Sequence, residues 1–156
     1  MFLRKRSNVA VGRDVRLSGD QLRNGLVTGL VKGGCDVTDL GVISTPILEF
    51  ATNLLKKDAG IMITASHNPP EWNGFKLFSQ NGCIYGDKME KIKKIAQNLD
   101  LKKLGEKQGK VISYDKIFRD YSDFISKHIK LRRKLRLVAD AANGVCGLFA
   151  PSLFKA

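Results

Sequence analysis

Ala59-Gly60-Ile61-Met62-Ile63-Thr64-Ala65-Ser66-His67-Asn68-Pro69-Pro70-Glu71-Trp72-Asn73-Gly74-Phe75-Lys76 is the stretch around which the chain is organised. Ala59 to Ile63 is a short apolar run of the length of a buried strand. Asn68-Pro69-Pro70 then turns the backbone abruptly, because each proline fixes its own φ and restricts the residue before it. Ser66 is therefore expected at the mouth of a strand, on a stiff loop, with His67 beside it and Lys76 further along. Such an arrangement suits a hydroxyl held still while a group is attached to it.

Outward from this stretch, strands and helices alternate. Asn8 to Gly12 predicts a strand, and Ser18-Gly19-Asp20-Gln21 has capping-box spacing, with Ser18 as N-cap and Gln21 at N3. The helix that follows places Leu22, Leu26, Val27, Leu30 and Val31 on one face and stops at Gly33-Gly34. Gly25 and Gly29, one turn apart, are expected to let that helix pack closely on a sheet. Cys35 to Leu40 predicts a second strand. Thr45-Pro46 predicts a helix start, a hydroxyl cap with proline at N1, and the helix to about Lys57 is expected to bury Ile47, Phe50, Ala51, Leu54 and Leu55.

Downstream, Phe75 to Phe78 predicts a short strand leading to a turn at Asn81-Gly82, and Asp87 is expected to cap a helix running to about Asn98. Residues 99–110 are polar and lysine-rich, a connector. Asp115 to Lys130 carries Ile117, Phe118, Tyr121, Phe124, Ile125, His128 and Ile129 as one apolar stripe of a helix. Leu135 to Ala139 predicts a strand, followed by a turn at Asn143-Gly144 and a helix start. The order predicts a three-layer α/β/α domain with a mixed sheet of four strands, followed by the start of a second α/β unit. The boundaries implied are residues 1–110 for the first domain, 111–134 for a linker helix and 135–156 for the second unit.

With 156 residues, 43% of them hydrophobic, and only four prolines, the composition is that of a folding chain. Nothing approaches the length of a membrane-spanning helix, and Met1 to Arg6 is basic without an apolar run behind it, so a cytoplasmic protein is expected. Cys35, Cys83 and Cys146 form no C-x-x-C pair, which fits reduced structural thiols rather than a zinc site. The formal charge is +12, and Lys127 to Arg136 packs seven basic side chains into ten residues. A nucleic-acid surface is one reading, but no nucleic-acid motif appears and no aromatics interleave the run. A solvated helix end, with cations favoured by the helix dipole, is the preferred one. No specific nucleic-acid partner is expected, although a positive field attracts an anionic substrate such as a sugar phosphate.

Thr64 to Lys76 resembles the phosphoserine loop of the α-D-phosphohexomutases, the phosphoglucomutase/phosphomannomutase family. Gly12-Arg13-Asp14-Val15-Arg16-Leu17-Ser18 resembles the G-R-D-x-R stretch of that family's first domain. Val138-Ala139-Asp140-Ala141-Ala142-Asn143-Gly144-Val145 resembles the strand and turn that open its second domain. The resemblance implies that Ser66 is carried as phosphoserine. It gives its phosphoryl group to a hexose monophosphate, and a hexose 1,6-bisphosphate intermediate returns the other phosphate, so that phosphate moves between C1 and C6. Lys76 matches a family lysine implicated in proton transfer or charge stabilisation; read without the resemblance, it is a solvent-facing lysine on an edge strand. His67 and Asn68 are implied either to contact the phosphoserine or substrate or to shape the turn. Mg²⁺ is implied as the metal, reaching Ser66 through its phosphate.

Other readings of these residues are blander. Arg13 and Asp14 are expected to form a buried structural ion pair, and His128, on its apolar stripe, to be structural. A serine hydrolase is excluded on two grounds: Ser66 and His67 are adjacent, and no G-x-S-x-G elbow exists. The family's Tyr-Asp-Ile-Arg-Gly segment and its Asp-Gly-Asp-Gly-Asp-Arg metal loop have no counterpart here. The expectation is a first domain lacking its N-terminal segment, so that its first strand is missing and a sheet edge is left open; no turnover by this chain alone is expected, with the remaining domains, on a separate chain, as a partner. The alternatives are a non-catalytic remnant or partner subunit of a split mutase, and a basic nucleic-acid-associated protein. The loop ending Asn73-Gly74-Phe75-Lys76 looks more like hexose-phosphate mutases than phosphoglucosamine mutases.

Overall fold

A computed structural model describes residues 7–99 and 108–155. Val9, Ala10 and Val11, all fully buried, form the centre of β1 (Asn8–Arg13). Successive strand residues point to opposite faces. Val9 and Val11 accordingly enter one apolar cluster and Ala10 the other. β1 lies between β2 (Asp36–Val42) and β3 (Ala59–Ile63), parallel to both. β4 (Phe75–Ser79) runs antiparallel to β3, and the two-residue β5 (Gly82–Cys83) antiparallel to β4. β6 (Val111–Ser113) joins the far side of β2 in parallel, giving one mixed sheet in the order β5-β4-β3-β1-β2-β6.

The four expected strands are present, and two short edge strands extend them to six. Neither edge was legible: β5 is too short to show a period, and all three residues of β6 are exposed. β1 is covered on both sides, and among the described residues the sheet ends at β5 and β6.

Helices occupy both faces, as expected of three layers. α1 (Gly19–Lys32) lays Leu22, Leu26, Val27, Leu30 and Val31 on the face carrying Val9, Val11, Ile61 and Ile63. The helix α2 (Thr45–Leu54) covers the other face together with α4 (Ile117–His128), where Ile47, Leu48 and Ile117 are buried. Phe50 packs edge-on against Tyr121 and tilted against Phe124, with ring centroids 5.4 and 5.2 Å apart, tying α4 to α2. By this packing β6 and α4 share the sheet and core of the elements before them. The remaining long helix, α3 (Asp87–Gln97), buries none of its residues.

Several local expectations are corrected. Gly25 and Gly29 face open space, with nothing within 4 Å of an added Cβ. Close approach occurs instead at Gly12, where a Cβ would strike Ile43, and at Gly60, where it would strike Thr52. These two glycines let α2 and its leading segment sit down on the sheet, with Leu48 and Thr52 buried against them; Leu54, expected in the core, is 48% exposed. The helix also ends at Leu54 rather than near Lys57.

No helix uses its expected cap. Ser18 holds the N-cap position of α1 without a side-chain cap bond: its backbone is helical (φ −75°, ψ −4°) rather than extended, and its hydroxyl accepts from Asn73 Nδ2 at 2.9 Å. Thr45 is already helical behind Ser44, and Asp87 is already helical behind Gly86.

Leu135 to Ala139 forms no strand. Its alternation fits the period, but a strand exists only when a neighbour satisfies its backbone, and among the described residues none lies beside it. The tail closes with a short 3₁₀ turn at Val145–Leu148 and α5 (Ala150–Leu153), where Phe149 reaches Phe118 at 4.9 Å between centroids. The expected connector at 99–110 falls largely on residues outside the described ones, as does the basic stretch Met1 to Arg6.

The serine loop as candidate active site

β1 and β3 are neighbouring parallel strands, and the loops leaving their carboxyl ends face each other. Ligands of open α/β sheets are held in such crevices. The Asp14 amide donates to the Ile63 carbonyl (3.0 Å) and the Thr64 amide to the Gly74 carbonyl (3.0 Å), which closes the base of the serine loop.

Ser66 has φ +57°, a left-handed conformation unusual for a residue with a Cβ. It costs about 1 kcal/mol and persists where the surroundings fix it. Here both ends of the residue are gripped. The Ser66 amide donates to Thr64 Oγ1 at 3.0 Å, and Arg16 Nη2 donates to the Ser66 carbonyl at 3.1 Å. Thr64 Oγ1 spends its own proton on Asp14 Oδ2 at 2.6 Å, which leaves its lone pairs to accept from Ser66. Asp14 also accepts from the Arg16 amide (3.1 Å) and faces Arg16 Nε at 3.4 Å.

Arg16 was singled out only as part of a motif, yet it reaches more of the loop than any other side chain. Besides Ser66 it donates to the carbonyls of Asn68 (2.7 Å), Pro69 (2.6 Å) and Trp72 (2.9 Å). Asn73 Nδ2 ties the loop to Ser18, and Asn73 Oδ1 accepts from the Gly74 amide at 2.9 Å. The expected Arg13–Asp14 pair does not form: Arg13 bridges to Asp20 at 2.7 Å, while Asp14 belongs to Arg16 and Thr64. The only sequence signal for Arg16 was its place in the Gly12-to-Ser18 stretch, since no local spacing reports a bond across some fifty residues.

Ser66, His67 and Asn68 are exposed and line a cleft of about 830 Å³. Its other walls are Asp14 to Leu17, Ser44 to Pro46 at the start of α2, and Ala142 to Cys146 of the tail. The tail turn therefore reaches the serine loop, with Ala142 in a left-handed conformation (φ +44°).

Lys76 does not line this cleft. It stands opposite Met62 in register and so shares the α2 face with it, half-buried on β4. His128 is exposed, and its ring is spent locally, with Nδ1 2.8 Å from the Phe124 carbonyl.

Among the described residues two groups titrate away from their ordinary values, both outside the cleft. Burial raises the Cys35 thiol, helped by Asp36 and Asp58. The Tyr114 phenol is raised chiefly by its hydrogen bond to Asp120 (2.7 Å).

The described residues do not fit a magnesium site. No group of three or more His, Cys, Asp or Glu side chains comes together among them. Asp14, the carboxylate on the cleft wall, has both oxygens engaged by Thr64 and Arg16. Among the described residues no helix is long and apolar enough to cross a membrane. Every residue of the basic run at 127–136 is exposed, and the run enters no ion pair among the described residues.

Comparison with known proteins agrees with this geometry. A family model for phosphoglucomutase/phosphomannomutase, alpha/beta/alpha domain I, matches residues 1–103. A phosphoglucosamine mutase of Methanococcus maripaludis is 38% identical over 146 residues, covering 92% of this chain and 32% of that protein. A phosphomannomutase/phosphoglucomutase of Pseudomonas aeruginosa is 39% identical over 148 residues, covering 95% of this chain and 31% of that protein. Among solved structures, a phosphoglucomutase/phosphomannomutase family protein from Burkholderia thailandensis superposes with a TM-score of 0.84 at 39% identity, over 96% of this chain and 33% of that one. This chain spans about a third of the length of these relatives, 31–33% and belongs to the phosphoglucomutase/phosphomannomutase family.

Proposed function

With that membership as the premise, we propose that Ser66 is the phosphate carrier of a phosphohexomutase, which moves phosphate between C1 and C6 of a hexose phosphate by way of a bisphosphate. The observation that carries this reading is the exposed Ser66 at the cleft, its backbone gripped at both ends in a conformation that serine rarely adopts. A carrier hydroxyl benefits from being held still, because phosphoryl transfer is catalysed mainly by positioning and charge stabilisation.

In the forward half-reaction the Oγ–P bond of phosphorylated Ser66 breaks and a new O–P bond forms at a free hydroxyl of the hexose monophosphate. The proton of that hydroxyl is returned to Ser66 Oγ. The second half-reaction runs the same exchange in reverse with the other phosphate of the bisphosphate. His67 and Asn68, on the same rim, are assigned contacts with the substrate phosphate. Lys76 is assigned charge stabilisation or proton transfer from the α2 face of β4. Relatives named for glucosamine and for mannose and glucose phosphates stand at similar identity. We therefore assign the hexose phosphate class without choosing a sugar.

No step is assigned to magnesium, since the described residues assemble no carboxylate cluster for it. The same fact favours a second reading, in which this polypeptide accepts phosphate on Ser66 without turning over hexose phosphate by itself. Incubating the chain with glucose 1-phosphate and a trace of glucose 1,6-bisphosphate, and following both Ser66 phosphate and glucose 6-phosphate, separates the two. Many turnovers to glucose 6-phosphate support a mutase, phosphate on Ser66 without turnover supports the second reading, and neither Ser66 phosphate nor glucose 6-phosphate defeats both.

A further inference from the structure

Arg16 stands out on arithmetic. A guanidinium has four terminal N–H protons besides Nε–H. Nη1 donates to Pro69 and Trp72, and Nη2 to Ser66 and Asn68, so four terminal protons meet four loop carbonyls. The cation is well covered, with 11% of its side chain exposed, and its remaining Nε faces Asp14.

Peptide planarity turns these bonds into a statement about the outer surface of the loop. The described peptide bonds are all trans, so a carbonyl pointing at Arg16 sends the N–H of the next residue the opposite way. After Asn68 and Pro69 the next residues are Pro69 and Pro70, which have no N–H to place. The Asn-Pro-Pro sequence thus offers two carbonyls to the cation without aiming two unsatisfied donors at solvent. After Ser66 the next residue is His67, whose N–H is directed away from Arg16 and makes no hydrogen bond within the described residues. An outward N–H beside a carrier oxygen is a donor suited to a phosphoryl oxygen.

The geometry points to Arg16 as the positioning residue of the carrier loop: its four-carbonyl clamp holds Ser66 left-handed and turns the His67 amide outward as a donor to the phosphoryl group on Ser66. The donor role rests on the reading of Ser66 as carrier, whereas the clamp stands on geometry alone. Thr64 is the second grip, acting on the Ser66 amide through the proton it gives to Asp14. Lysine cannot replace Arg16, because an ammonium has three donors on one atom and no fork to reach four separated carbonyls.

The test uses the full chain, isotopically labelled, as wild type, Arg16→Lys, Arg16→Met and Thr64→Val. In both Arg16 variants the Ser66 and His67 amide resonances should move toward disordered positions, and Ser66 amide exchange should speed up about tenfold or more. Exchange at Val9 to Val11 and Ile61 to Ile63 should stay as in wild type. Thr64→Val should speed Ser66 exchange while leaving the other loop resonances near their places. Unchanged loop amides in Arg16→Met, or full rescue by Arg16→Lys, would overturn the clamp. So would equal loss of protection in the strands, which would make Arg16 a general folding residue.

A second arm adds glucose 1,6-bisphosphate. Phosphate incorporation on Ser66 should slow about a hundredfold or more in Arg16→Lys, and the wild-type His67 amide should shift on phosphorylation. A wild-type His67 amide that stays put when Ser66 is phosphorylated overturns the donor role. A wild type that takes no phosphate defeats the carrier reading and with it the donor role, while the exchange data still decide the clamp.

Discussion

Residues 64–74 and residues 129–144 both lack regular secondary structure and both reach the same cleft, but they are held in opposite ways. The serine loop is bound from a distance: Arg16, Asp14 and Ser18, some fifty residues earlier, supply its bonds. The tail segment's hydrogen bonds among the described residues are all local, as in the Ile129 amide to Ile125 (2.8 Å), the Ala142 amide to Asp140 (2.8 Å) and the Gly144 amide to Ala141 (2.7 Å). Its apolar side chains are left outside, with Val138 fully exposed and Leu131 65% exposed. An irregular backbone takes one shape where distant polar side chains satisfy its carbonyls, and proline reduces the number of donors needing a partner.

The contrast can be broken most forcefully by mutating what lies under each region. Leu48→Ala, in the core beneath the cleft, should cost about 2–5 kcal/mol in urea unfolding. A loss of only a few tenths there would show that the sheet does not support the loop as described. Thr64→Val keeps the shape and removes the link between Asp14 and Ser66, leaving a part-buried carboxylate with one partner fewer. About 1–3 kcal/mol of stability should go with it, and a neutral result would mean that the network does not tie the loop to β1.

A smaller effect separates the core from the surface by titration. The buried Cys35 thiol is held above its ordinary 9.0. The folded state therefore keeps a proton that the unfolded chain loses. The associated stability is complete below pH 9.0 and is lost as pH rises through the folded value. Alkaline unfolding curves should fall less steeply in Cys35→Ala, and iodoacetamide should label exposed Cys83 and Cys146 well before Cys35. Equal labelling of all three would contradict the packing of α1 on the sheet.

The smallest effect is expected in the tail. Leu137→Ala should change stability by no more than about 0.5 kcal/mol. Limited trypsin should cut after Arg132, Arg133 or Lys134 before it cuts at Arg16. A large cost at Leu137 would reveal a packed tail and erase the contrast.

Much of this was legible from residues alone, wherever the cause is local. The strands around Val9 to Val11 and Ile61 to Ile63, the apolar stripe of α1 and the turn forced by two prolines all announce themselves by spacing. The expectations that failed depend on partners the chain supplies from elsewhere. Ser18 has a good cap signature, but its hydroxyl goes to Asn73. Leu135 to Ala139 alternates like a strand and, among the described residues, pairs with no other strand. Arg13 and Asp14 are adjacent and still choose different partners. Ser66, His67 and Asn68 come together at the cleft as the loop sequence suggested, whereas Lys76 is set on the neighbouring face, and Arg16 emerges only once the fold brings β1 and β3 side by side.

The central claim is that Ser66 carries phosphate, and the most direct measurement is the mass of the intact chain, with peptide mapping, after exposure to glucose 1,6-bisphosphate. One added phosphate confined to the peptide containing Ser66, and lost in Ser66→Ala, is the predicted result. A phosphate that persists in Ser66→Ala, or a wild-type chain that never gains one, would contradict it.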